Sequence, residues 1–322
     1  MILLIHGMVK EMNVVIAGGT GFLGTHVSQE LKRQGHSVLL LSRGTREASA
    51  ADREQSVVCD VAAGDLPLEP LKGRGAVVNL VGIKREEGDQ TFERVHVEAT
   101  RNLIAAAKNV GIRRFIHISV VCSRPDPESG YHDTKWRAEE LVRSSGLDFT
   151  ILKPGVIFGK GDDMVTHLVK MVRFAPLFPV VGKGDSILQP VCATEVAVAV
   201  AAALERRESV GKCYDIVGPE RMTLRQVVRT VAEGMGLRTW IINTPVWLQH
   251  LSVKWMNAVF RNPLSTPAQL QMLIDGLAGD PEPAKIELSL CTRGFSRESV
   301  KELEGPIPPL FGFSLRLLTG RR

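Results

Sequence analysis

Asn13-Val14-Val15-Ile16-Ala17-Gly18-Gly19-Thr20-Gly21-Phe22-Leu23-Gly24 reads as a strand that breaks into a glycine turn and then a helix. Its first five residues are a short, largely apolar and β-branched run stopped by a glycine pair, the pattern of a buried strand. Beyond the glycines, Leu23, Val27 and Leu31 recur every fourth residue, one face of a helix that ends near Gly35. Gly18, Gly21 and Gly24 thus form a GxxGxxG frame between strand and helix. Glycines there allow positive φ and a close backbone approach, and the open N–H groups and dipole at the helix start attract pyrophosphate. Gly18, Thr20, Gly21, Phe22, Leu23 and Gly24 are the expected contacts to the phosphates of a dinucleotide.

Outward from this turn the rhythm repeats. Further strands are predicted over residues 37–41, 56–59, 76–81, 115–119 and 149–152, with a short helix candidate over 66–72. Phe92, Val95, Ala99, Leu103, Ala106 and Val110 mark an amphipathic helix closed by Gly111, and another runs over about 131–145. Strands alternating with helices predict an α/β fold, a Rossmann-type doubly wound parallel sheet. Eight of the 17 prolines fall after residue 240, so regular alternation loosens there. A smaller C-terminal lid of helices and loops is expected. The predicted division is 1–12 as an N-terminal extension, 13–160 as the core NAD(P)-binding domain, and 161–322 as remaining Rossmann elements interleaved with the substrate or lid region.

With 44% hydrophobic and 23% charged residues, the composition is that of a soluble, well-cored protein. The net charge of +5 suits an anionic ligand such as a dinucleotide, weak attraction to an acidic membrane surface, or no charged partner at all. No dense Lys/Arg run argues for nucleic acid. Cys59, Cys122, Cys192, Cys213 and Cys291 are scattered without CxxC or metal-ligand spacing, so no metal and a reducing compartment are expected. No apolar run reaches the roughly 18–20 residues of a membrane span. The apolar piece at residues 1–5 lacks a basic flank and a cleavage site, and Met8 and Met12 both precede the first strand, so an alternative start is open. The expected location is the cytoplasm.

Ser42-Arg43 ends the second strand. An acidic residue there would take the ribose 2′-OH of NAD, whereas Arg43, with Arg46 as a second candidate, would pair with the 2′-phosphate of NADP. NADP(H) is therefore expected over NAD(H), unless Arg43 is only a solvated loop cation. Asp60, with Val61 beside it, is placed either to bind the adenine amino group or to serve as a strand-end turn residue. Tyr131-His132-Asp133-Thr134-Lys135 is a YxxxK pair whose i and i+4 members share a helix face. Lys135 can bind the nicotinamide ribose and lower the pKa of Tyr131, making it a proton donor. The alternative is a cofactor clamp without catalysis.

The glycine turn, Asn79-Leu80-Val81-Gly82, the helix around Val95-His96-Val97-Glu98-Ala99-Thr100, YxxxK and Lys153-Pro154-Gly155-Val156-Ile157-Phe158-Gly159 occur in the order of extended and atypical short-chain dehydrogenases/reductases, which they resemble. More narrowly, residues 79–100 and 131–140 resemble bacterial relatives of the nucleotide-binding accessory subunit of respiratory complex I, often labelled NAD-dependent epimerase/dehydratases. The resemblance spans about residues 13–220, and residues 262–270 look similar too. It implies that Asn79, Val81 and Gly82 line the cofactor and that Pro154, Val156 and Ile157 flank the nicotinamide. One departure stands out. Active extended enzymes carry a Ser or Thr after the fifth strand to polarise a carbonyl, and here Val120 falls at that position. Ser119, one residue earlier, or Ser123 would have to substitute, and Ser119 joins Tyr131 and Lys135 as a catalytic candidate. His96 stands where many epimerases carry Asn, and without metal-like partners it reads as a satisfied helix histidine.

Trp247, Leu251, Trp255 and Val259 form a stripe at spacing four, reinforced by Leu248, Met256 and Phe260. Such a helix packs on the sheet, covers an apolar substrate pocket or touches a membrane interface. Two functional readings follow. One is an NADPH-preferring oxidoreductase acting on an apolar carbonyl or alcohol. The other is a non-catalytic dinucleotide module that supports a respiratory assembly, peripheral to the inner membrane, or senses redox state.

Overall fold

Short β-branched runs supply most of the sheet in the computed structural model, which describes residues 11–44, 56–126, 128–162, 164–174, 177–259 and 267–302. Residues 1–10, Arg46, Phe260 and residues 262–266, all named above, lie outside the described residues. By its internal contacts the chain divides into two compact units. The first comprises Met1–Pro154, Ala193–Ile216 and Asp280–Cys291, and the second Gly155–Cys192, Val217–Gly279 and Thr292–Arg322.

The first unit contains β1 (Asn13–Ala17), α1 (Phe22–Arg33), β2 (Ser37–Ser42), β3 (Ser56–Val58), β4 (Ala76–Asn79), α2 (Ala99–Asn109), β5 (Arg114–Ile118), α3 (Gly130–Arg143) and β6 (Asp148–Pro154). In the second unit come β7 (Ile157–Phe158), α4 (Met164–Phe174), β8 (Leu177–Val181), β9 (Ile187–Leu188) and β10 (Val191–Cys192). The chain then re-enters the first unit with α5 (Ala193–Glu205) and β11 (Lys212–Ile216). Seven strands lie in the order β11-β6-β5-β4-β1-β2-β3, every pair parallel. This is a doubly wound Rossmann-type sheet, as the alternation predicts.

Both sheet faces are dry. Val15, Ala17, Leu39, Leu41, Val77, Phe115 and Ile151 form one face and pack with Leu103 and Ala107 of α2 and Val142 of α3. The alternating residues Val14, Ile16, Leu40, Val78, Ile116 and Leu152 are buried as well, which explains why these strands read as continuous apolar runs. Each large aliphatic side chain so buried contributes about 1.5–3 kcal/mol. On α5, Ala197, Ala201 and Ala203 are buried, and their small side chains let α1 pack closely on that helix.

Several element ends differ from expectation for identifiable reasons. β4 stops at Asn79 because the Asn79 side-chain Oδ1 accepts the Val81 N–H at 3.1 Å, turning the chain out of the ladder. The 66–72 candidate shrinks to one 3₁₀ turn, Glu69–Leu71, with Pro70 inside it. The helix expected from Phe92 opens with a widened π-type turn, Glu93–Glu98, before α2 begins, a feature frequent at functional sites.

The second unit also holds β12 (Met222–Thr223), α6 (Leu224–Gly234), β13 (Trp240–Thr244), α7 (Val246–Val259), α8 (Pro267–Asp275) and, after α9 (Glu282–Glu287) of the first unit, α10 (Arg297–Glu302). Its strands make only two-stranded pairs: β10 with β7, β12 with β9, and β13 with β8. Thr223 and Gln226 cap α6 reciprocally, satisfying N–H groups at its start. Among the described residues no helix is long and apolar enough to cross a membrane.

Candidate dinucleotide site

The strand order reverses between β1 and β4, and the crevice at the carboxyl ends of such strands is where this fold binds ligands. The two segments leaving those ends touch. Gly18 has φ +79°, and a Cβ on it would lie 3.2 Å from the Leu80 carbonyl carbon. Gly24 is tighter: a Cβ there would sit 2.3 Å from Gly18 O. The first and last glycines of the frame therefore fold the turn onto itself. Gly21 is the N-cap of α1, with no side-chain cap and no acidic residue in the first turn. Thr20, Phe22 and Leu23 are half-buried around it. The Gly18 N–H donates to Leu41 O and the Gly21 N–H to Gly18 O, each at 3.0 Å, so a pyrophosphate would be met by the helix start beyond them, where no carboxylate stands.

At the end of β2, Ser42 Oγ accepts the Gly44 N–H at 3.4 Å, and Arg43 is exposed. Beyond β3, Asp60 Oδ1 accepts the Ala62 N–H at 3.0 Å, and Oδ2 pairs with Arg94 Nη2 at 2.8 Å. Both carboxylate oxygens expected to meet adenine thus already have a partner. Val61 is buried, and its carbonyl accepts from Asn102 Nδ2 at 2.9 Å.

Asn79 is wholly buried and occupied on both sides. Its Oδ1 holds Val81 N, and its Nδ2 donates to Thr100 Oγ1 at 3.0 Å and lies 3.2 Å from His117 Nδ1. Its contribution is to shape the Leu80–Gly82 turn. His96 fixes the next residue. His96 Nδ1 lies 2.9 Å from Thr134 Oγ1, and Nε2 lies 3.2 Å from Ile83 N and 3.1 Å from Ile83 O, so both ring nitrogens have partners in either neutral tautomer. A neutral ring agrees with burial, which pushes the His96 pKa well below the usual range, helped by the nearby Lys135 charge. Among the described residues no group of three or more His, Cys, Asp or Glu is placed to hold a metal ion.

α3 carries the YxxxK pair because Ser129, whose side chain accepts the His132 N–H, starts the helix immediately before Gly130. The Tyr131 ring meets Phe92 and His96 edge to face, at 5.7 and 5.4 Å between centroids. Its pKa is not lowered as expected: burial pushes it up to about 12. Tyr131 is therefore a phenol at neutral pH, an acid rather than a base. Lys135 is also buried, its Nζ 3.1 Å from Ile118 O and 3.2 Å from where a Cβ on Gly82 would stand. Burial lowers its pKa to about 8, with Glu139 opposing. One of its three donors serves Ile118, and ribose hydroxyls fit the others.

Glu139, one turn further along the same face, had not been singled out in the sequence. Its side chain is 1% exposed. It accepts Ser119 Oγ at 2.5 Å and Ser123 Oγ, pairs with Arg143 Nη2 at 2.7 Å, and lies 3.5 Å from Lys153 Nζ. Both serines that could replace Val120 thus give their protons to one carboxylate, and Val120 itself is buried. Pro154 ends β6 in the first unit, whereas Val156 and Ile157 belong to the second. The spacing of Glu139 four residues after Lys135 was the available signal. Arg94 gave none, since its partner Asp60 is 34 residues away.

Strand order and glycine turn are those of a Rossmann-type fold, and the YxxxK helix resembles that of short-chain dehydrogenases/reductases. Residues 18–173 match the family model described as NAD(P)H-binding, and this part of the chain is an NAD(P)H-binding domain. The chain is 28% identical over 260 residues to the mitochondrial NADH dehydrogenase [ubiquinone] 1 alpha subcomplex subunit 9 of Rattus norvegicus, covering 78% of this chain and 68% of that protein. It is 27% identical over 235 residues to the ceramide reductase of Caulobacter vibrioides (strain NA1000 / CB15N), covering 72% of this chain and 73% of that one. The crystal structure of gox2253 superposes with a TM-score of 0.71 at 25% identity, over 91% of this chain and 97% of that one.

Proposed function

We propose that this protein is an NADPH-preferring reductase that acts on the carbonyl of an apolar small molecule in the cytoplasm. The observation that carries the reading is the α3 face, where a protonated Tyr131 and a buried Lys135 stand four residues apart, Lys135 beside Gly82. NADPH, when bound, supplies the hydride. Tyr131 delivers the proton to the substrate oxygen, Lys135 donates to the ribose hydroxyls, and Arg43 pairs with the 2′-phosphate. Ser42, Asp60, Val61, Pro154, Val156 and Ile157 complete the proposed cofactor contacts. The ceramide reductase likeness supports an apolar substrate.

A second reading has its own support. With Ser119 and Ser123 both donating to Glu139, neither hydroxyl proton is available to polarise a carbonyl. That favours a dinucleotide-binding subunit of a respiratory assembly, in line with the likeness to the complex I subunit. Mass spectrometry of the co-purifying nucleotide, followed by NADPH oxidation with long-chain ketones, separates the two. Turnover that is lost in Tyr131→Phe with NADPH affinity kept supports the reductase. Bound nucleotide without turnover across the ketone series supports the subunit.

A further inference from the structure

Among its described residues the second unit carries several large apolar side chains that stand exposed. On its inner side α7 is anchored by Gln249, whose Nε2 donates to Thr244 Oγ1 at 3.0 Å, and by Val253, which packs with Val181, Leu270 and Ile274. At 3.6 residues per turn, Trp247, Leu251 and Trp255 point the opposite way. They are 68%, 58% and 60% exposed. β13 leads directly into α7 and presents Trp240, 73% exposed, with Ile242 two residues on. Leu177, the cross-strand neighbour of Trp240 in β8, is exposed as well. A single exposed apolar residue is ordinary, but three exposed tryptophans on one strand and the helix that follows it mark an interaction surface.

The charge balance of the unit indicates its occupant. Its three stretches of sequence hold 16 Lys and Arg against 9 Asp and Glu, a net charge of +7, whereas the whole chain carries +5. A second copy would bring two such basic units together, which is unfavourable. Acidic headgroups complement them. Tryptophan suits that boundary because its ring is apolar and its N–H needs a wet partner. We propose that this face docks on an anionic lipid bilayer, with Trp240, Trp247, Leu251 and Trp255 seated at headgroup depth. The inference does not depend on hydride transfer.

The full chain is floated with vesicles of equal parts phosphatidylcholine and phosphatidylglycerol, or of phosphatidylcholine alone, while tryptophan emission is recorded. Wild type co-floats with the anionic vesicles, its emission shifts to the blue, and high salt weakens both effects. The triple variant Trp247→Ser, Leu251→Ser, Trp255→Ser changes exposed positions only, and its unchanged circular dichroism and melting verify its fold. Its vesicle affinity falls at least roughly tenfold. Absence of wild-type flotation, or equal flotation of a folded variant, overturns the proposal. So does a tryptophan-dependent dimer of the lipid-free protein seen by light scattering, which would assign the face to a second copy.

Discussion

Ser119 Oγ donates to Glu139 Oε1 at 2.5 Å, joining the end of β5 to the middle of α3 through a fully buried contact. Glu139 is then the common acceptor for groups from three parts of the first unit. Glu139→Ala removes the shared acceptor of Ser119, Ser123 and Arg143, but Arg143 keeps Glu140 at 2.6 Å, so the expected cost in urea unfolding is about 1–3 kcal/mol. Ser119→Ala removes one bond to a charged acceptor, about 1.5–3 kcal/mol. Under the reductase reading it lowers turnover far less than Tyr131→Phe does. Equal kinetic losses in the two variants would return Ser119 to the role of carbonyl donor.

Gly24→Ala tests the closed glycine turn. With its Cβ placed 2.3 Å from Gly18 O, the turn must open. The expected penalty is about 1–3 kcal/mol of stability, with dinucleotide affinity falling in parallel. Calorimetric titration of a folded variant with unchanged affinity would show that the turn does not hold the phosphates.

The proposed pairing of Arg43 with the 2′-phosphate makes cofactor choice a test. A charge-assisted contact to the 2′-phosphate favours NADPH over NADH by at least about 1.5 kcal/mol, roughly tenfold. Arg43→Asp reverses the preference. Equal wild-type affinities for the two nucleotides would remove Arg43 from the site.

Lys135 gives a pH signature. Its pKa is about 8 in the folded chain, against an ordinary 10.5. Between those values the unfolded chain keeps a proton that the folded chain has released, so stability rises with pH across the window. Tyr131, raised from 10.0 to about 12, acts in the opposite sense above pH 10. Unfolding free energies of wild type and Lys135→Met, compared from pH 7 to 10, are expected to converge as pH rises. Parallel profiles would mean that burial does not perturb the lysine.

The glycine frame, the inner strands and the YxxxK face were legible because each rests on local periodicity, apolar runs of four or five residues or an i, i+4 repeat. β11 was not. It is an edge strand whose Lys212 and Cys213 are exposed, so it lacks the apolar run that marks β1 or β4. The Glu139 hub was hidden for another reason: a glutamate in an amphipathic helix reads as surface, and its serine partners lie 20 and 16 residues away. The stripe on α7 was visible as a pattern, but only burial separates an inward stripe from an outward one.

The first unit is assembled from three separated stretches of chain. A ribosome delivers the glycine turn early, yet β11 and α5 emerge only after residues 155–192 have been made, and α9 later still. Until then β6 presents a bare outer edge, because β11 is its partner on that side. Such an edge recruits chaperones or neighbouring nascent chains. A gene fragment ending at residue 173, where the family match stops, would encode the turn, the YxxxK helix and six of the seven strands, yet leave the β6 edge bare and prone to aggregation.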